Sequence, residues 1–114
     1  MTREYQADPA LYINGTWRSG EGRDVHQVLN PATGKVIAEI PLATATDLDE
    51  ALAASEKGFA LWRATDVNAR AVILHKAAAL IRERVEHIAT LLTMEQGKPL
   101  AEARTETLSC AAVF

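Results

Sequence analysis

Lys35-Val36-Ile37-Ala38-Glu39-Ile40-Pro41-Leu42-Ala43-Thr44-Ala45-Thr46-Asp47-Leu48-Asp49 carries the chain from one kind of structure into another. Before Pro41, Val36, Ala38 and Ile40 recur at every second position, the period of a strand. Pro41 lacks an amide donor, so strand pairing is expected to end there. After it the period lengthens. Thr46 is expected to cap a helix, and the acids at Asp47 and Asp49 suit its positive end. Leu48, Leu52, Ser55, Phe59 and Trp62 then follow the helical repeat and predict the buried face. Composition agrees on both sides of this switch. Three of the four prolines and four of the six glycines precede residue 42, whereas 17 of the 21 alanines follow it. Gly and Pro punctuate turns, and Ala is the best helix former. Residues 1–42 therefore predict strands and turns, and residues 43–114 predict helices.

Working back from the switch, Asn30-Pro31-Ala32-Thr33-Gly34 reads as a turn and Asp24 to Leu29 as the strand before it. Ser19-Gly20-Glu21-Gly22 reads as a loop. Leu11-Tyr12-Ile13 and Thr16-Trp17 flank Asn14-Gly15, the dipeptide of a tight hairpin. Asn14-Gly15-Thr16 also has the form of a glycosylation sequon, but without a secretory signal the turn is the better reading. Working forward, a second helix is expected after Asp66, with a bend or break near Arg84. Gly97 suits the end of the following helix, and Pro99 suits the first residue of the last. The whole is an α+β arrangement, two hairpins and then about four helices.

The totals set outer limits. The 114 residues are enough for one domain, with 48% hydrophobic and 24% charged residues, which excludes a disordered chain. Twelve basic and 15 acidic residues leave a net charge of -3, so no basic excess favours nucleic acid. A membrane partner is not expected, since no apolar stretch is long enough to span a bilayer. Glu4, Gln6, Asp8 and Pro9 interrupt the place of a secretory signal, which points to the cytoplasm or to an organelle after presequence removal. The final helix predicts something else. From Thr107 to Phe114 it is uncharged, with neither Gly nor Asn nor a basic last turn, and this pattern predicts truncation.

Motifs that carry chemistry are few. Gly20 and Gly22 begin a G-x-G, but Val25 stands where the third glycine of a dinucleotide fingerprint belongs. His26, His75 and His87 form no metal-spaced pair. Glu83–His87 and Arg82–Glu86 have the spacing of surface pairs on one helix. Cys110 is the only cysteine, which excludes an internal disulfide. It lies far from its helix start and from basic neighbours, so a buried structural thiol is expected. Trp17, Phe59 and Trp62 are expected in the core.

One ordered set of motifs remains. It comprises Leu11 to Trp17, Asn30 to Ala38, Ala51-Leu52 through Phe59-Ala60-Leu61-Trp62, Arg70 to Leu74, and Met94-Glu95-Gln96-Gly97-Lys98-Pro99-Leu100-Ala101-Glu102-Ala103. Their order and spacing resemble the N-terminal segment of the NAD(P)-dependent aldehyde dehydrogenase superfamily, in wording nearest its succinate-semialdehyde dehydrogenase branch. The match covers about residues 10–114.

The resemblance implies an α/β parent several times longer, a homo-oligomer using NAD or NADP to oxidise a small aldehyde. Residues 1–114 would be the incomplete N-terminal part of its Rossmann-type coenzyme domain. The family's nucleophilic cysteine, general-base glutamate, oxyanion-binding asparagine and coenzyme glycines come later in its order. No catalytic, coenzyme-binding or metal-binding role is therefore carried onto a residue here, and the segment alone is expected to bind no coenzyme and to be inactive. Cys110 follows Leu108-Ser109 and does not match the nucleophile's surroundings. Some relatives hold a structural monovalent cation near this segment. The matching groups would be the Val28–Leu29 carbonyls and the Glu95 carboxylate, although packing of Glu95 at its helix end is the favoured reading. The alternative to the enzyme is a stand-alone helical module that binds a partner through its apolar C-terminal helix.

Overall fold

The structure is a computed structural model that describes Tyr5 and residues 7–114. Its elements are β1 (Leu11–Ile13), β2 (Thr16–Arg18), β3 (Val25–Leu29) and β4 (Val36–Pro41), then α1 (Ala45–Ala64), α2 (Val67–Glu83), α3 (Val85–Gln96) and α4 (Leu100–Val113). They divide into two compact units. One holds Ala7–Val28 and Val36–Thr65. The other holds Leu29–Lys35 and Asp66–Phe114, with Tyr5.

In the first unit, Asn14 (φ 50°) and Gly15 (φ 79°) both adopt positive φ. A two-residue hairpin turn needs this to match the strand twist. The antiparallel register is Leu11 to Arg18, Tyr12 to Trp17 and Ile13 to Thr16. Tyr12 and Trp17 meet across the strands with ring centroids 4.8 Å apart. The pair lies on the outer face, while Ile13 is buried on the other. β3 and β4 form a second two-stranded sheet. β4 ends at Pro41, as the sequence suggested, and one bond beyond it closes the pair: the Leu42 amide donates to the Asp24 carbonyl at 2.8 Å. Donors of an antiparallel edge alternate in direction, so proline is accommodated at a position whose amide would point away.

The cap of α1 lies two residues before the expected one. Thr44, not Thr46, is the N-cap: its hydroxyl accepts from the Asp47 amide at 3.1 Å, and the Asp47 carboxylate accepts from the Thr44 amide at 2.9 Å. This reciprocal box places Asp47 at the third helical position, where it satisfies the cap's own amide. The predicted apolar stripe exists but is not buried. Leu48, Leu52 and Phe59 are about three-fifths exposed, and Trp62 is also exposed. Trp17, expected in the core, is 70% exposed. An amphipathic helix buries its stripe only against another layer, and none covers it among the described residues.

In the second unit, Asp66 caps α2 by accepting from the amides of Asn68 and Ala69 at 2.9 and 3.3 Å. The expected break falls at Arg84, with φ -99° and ψ 14°. Gly97 ends α3 in the left-handed region at φ 80°, and its amide donates to the Thr93 carbonyl at 2.8 Å. Pro99 is the cap of α4 rather than its first residue. The core here is built of small side chains. Ala78 of α2, Ala89 of α3, and Ala103, Thr107 and Ala111 of α4 are all nearly inaccessible. The three from α4 recur every fourth residue, one face of the helix. The Thr107 hydroxyl is satisfied by the Ala103 carbonyl at 2.8 Å.

Two glycines should answer the same substitution in opposite ways. A Cβ at Gly97 would lie 2.9 Å from Pro31 Cγ, on top of a positive φ. Gly97→Ala should destabilise by about 1–3 kcal/mol. Gly58, within α1, has open space around it. Gly58→Ala should stabilise by about 0.5–1 kcal/mol. Midpoints of helix melting followed by circular dichroism test both signs. The uncovered stripe leads to a further expectation, that the isolated 114 residues self-associate. A sharp monomer peak in size-exclusion chromatography, with a cooperative melt, would contradict it.

Candidate functional site

Four places in the chain bring polar or reactive groups together. The densest is the start of α1. Asp47 is almost wholly buried, with a side-chain exposure of 3%. Arg23 grips it with two nitrogens, Nη2 to Oδ1 at 2.8 Å and Nε to Oδ2 at 3.0 Å. Arg18 Nη1 reaches Oδ1 at 3.1 Å, while its Nη2 pairs with Glu50 at 2.6 Å. The Thr44 amide and hydroxyl complete the shell at Oδ2, at 2.9 and 2.8 Å. The bonds from Arg23, then those from Thr44, hold the Asp47 carboxyl far below the ordinary carboxylate range. Arg18 likewise lowers Glu50. Both oxygens of Asp47 are saturated by fixed donors, so the group neither accepts a proton readily nor has a free lone pair for a ligand. Its work is structural: it joins β2 and the loop at Arg23 to the first turn of α1. Sequence reasoning assigned Asp47 only a helix-dipole role and did not single out Arg18 or Arg23. An arginine at a strand end or in a loop carries no local signal of a partner 24 to 29 residues away.

The second place is where two sequence motifs meet. In the turn after β3, the Asn30 carbonyl accepts from Gly34 at 2.8 Å, and its side chain accepts from the Ala32 amide at 2.9 Å. This seats Pro31 against Gly97, close enough that any Cβ at 97 would collide. Asn-Pro-Ala-Thr-Gly and Glu-Gln-Gly-Lys-Pro, far apart in sequence, thus form one steric node. Beside it, in the last turn of α3, the Glu95 carboxylate accepts from Tyr5 Oη. Burial first, then the hydrogen bond and charge of Glu95, push the Tyr5 phenol up to about 12. Glu95 therefore has a protein partner at its helix end. Val28 and Leu29 lie at the end of β3. Among the described residues, no three His, Cys, Asp or Glu side chains converge as metal ligands.

The third place is an apolar cleft lined by Ile81, Ile88, Leu92, Glu106, Thr107 and Cys110. Cys110 is exposed along it, not buried as expected. The face of α4 that packs inward is the one bearing Ala103, Thr107 and Ala111, and this turns Cys110 aside. No basic side chain lines the cleft. The start of α4 is about 15 Å away at 1.5 Å per residue.

The fourth is a set of ties between α2, α3 and α4. Arg104 grips Glu86 with two nitrogens, at 2.6 and 2.8 Å. Lys98 pairs with Glu106. Arg82 Nη2 donates to the Ala111 carbonyl at 3.1 Å. The pairs expected on one helix, Glu83–His87 and Arg82–Glu86, are instead divided by the break at Arg84, and Arg82 and Glu86 take partners on α4. Gly20 and Gly22 lie in a loop that leads into a strand, β3, and not into a helix.

Residues 17–114 match the aldehyde dehydrogenase family. The chain belongs to that family. It is 46% identical over 102 residues to N-succinylglutamate 5-semialdehyde dehydrogenase of Burkholderia mallei, covering 90% of this chain and 21% of that protein. An aldehyde dehydrogenase from Brucella melitensis biovar abortus superposes with a TM-score of 0.86 at 40% identity, over 92% of this chain and 22% of that one. Succinate-semialdehyde dehydrogenase from Burkholderia pseudomallei gives 0.85 at 34% identity, over 90% and 21%. This aldehyde dehydrogenase chain thus spans about a fifth of the length of the relatives it matches. Its two hairpins and four helices belong to the Rossmann-type fold of those enzymes. No described helix is long and apolar enough to cross a membrane.

Two titrations test the electrostatics. Asp47 has a depressed folded pKa, so its contribution is complete above its unfolded value of about 4 and is lost as pH falls through the folded one. Melting temperature should drop on acidification below about pH 4, and Asp47→Asn should be less stable at neutral pH with a flatter acid limb. An unchanged acid limb would refute the assignment. Tyr5 has the opposite sense. Its folded pKa is raised to about 12, so its contribution is complete below about pH 10 and disappears as pH rises through 12. Tyrosinate absorbance should show one tyrosine ionising near 12, and Glu95→Gln should bring it down.

Proposed function

We propose that these residues are the N-terminal part of the coenzyme-binding domain of an NAD(P)-dependent aldehyde dehydrogenase. The enzyme would be a cytoplasmic homo-oligomer that oxidises a small semialdehyde, such as succinate semialdehyde, to the carboxylic acid. The observation that carries this reading is the family match over residues 17–114, with 46% identity to a semialdehyde dehydrogenase. The names of two matched enzymes, each naming a semialdehyde that also carries a carboxylate, support that substrate class.

The coenzyme would serve as hydride acceptor when bound. The described residues do not fit it: the Gly20–Gly22 loop leads into β3, and no Gly-rich turn opens a helix. Nor is Cys110 read as the nucleophile, since it lies about 15 Å along α4 from the start of its helix. Their contribution is architectural. The Asp47 cluster sets the start of α1, and the Pro31–Gly97 node holds a strand-connecting turn against the end of α3.

The 114 residues alone should therefore give no turnover with NAD or NADP and succinate semialdehyde. Robust activity would show that the nucleophile assignment is wrong. Sequencing the gene beyond the codon for Phe114 tests the larger reading. An uninterrupted natural frame without a Gly-rich coenzyme segment and a nucleophilic cysteine would overturn it.

A further inference from the structure

We draw no further inference here: the strongest candidate, the uncovered apolar stripe of Leu48, Leu52 and Phe59 along α1, carries nothing because no feature of the structure shows what covers it.

Discussion

Close approach of α2, α3 and α4 is the constraint on which the helical unit depends. Ala78, Ala89, Ala103 and Ala111 are the residues sealed between them, and only small side chains fit where helix backbones come together. That choice has a price at the periphery. With alanine on the inner faces, the large apolar residues of the same helices are displaced outward, and Val72, Ile73 and Leu108 remain substantially exposed. The unit is held by tight but small contacts, and most of its hydrophobic capacity faces away from its own centre.

The strand-bearing unit solves its central problem with charge. Asp47 is taken out of water at a helix start, which is costly for an isolated carboxylate. Two guanidinium groups and the Thr44 cap compensate it. Removal of one partner would leave the others facing an incompletely satisfied ion, so the cluster acts as a single structural unit.

Local signals were legible wherever backbone geometry decided the outcome. Asn14-Gly15 predicted its hairpin, Gly97 its helix end and Arg84 a break, because positive φ and capping are properties of a few adjacent residues. Quantities set by distant partners were not legible. Thr46 was expected as the cap, but the Thr-x-x-Asp spacing occurs both at Thr44–Asp47 and at Thr46–Asp49, so local sequence does not choose between them. The stripe from Leu48 to Trp62 was periodic enough to predict a buried face, yet periodicity says nothing about whether a covering layer is present. Cys110 was expected to be buried from its residue type and its distance from the helix start and from basic neighbours, whereas the spacing of Ala103, Thr107 and Ala111 decides which face turns inward. The functional reading came from the order of motifs, and the contact of Pro31 with Gly97 gives two of those motifs a common physical basis.

The hydrogen bond from Arg82 to the Ala111 carbonyl joins α2 to α4 across 29 residues of sequence. Alanine faces let two helices approach closely but offer little relief to lock one against the other. A directional bond supplies what they lack, because it is satisfied at one setting of the two helices only. Arg82 thus acts as the index mark that fixes where along α2 the alanine face of α4 comes to rest.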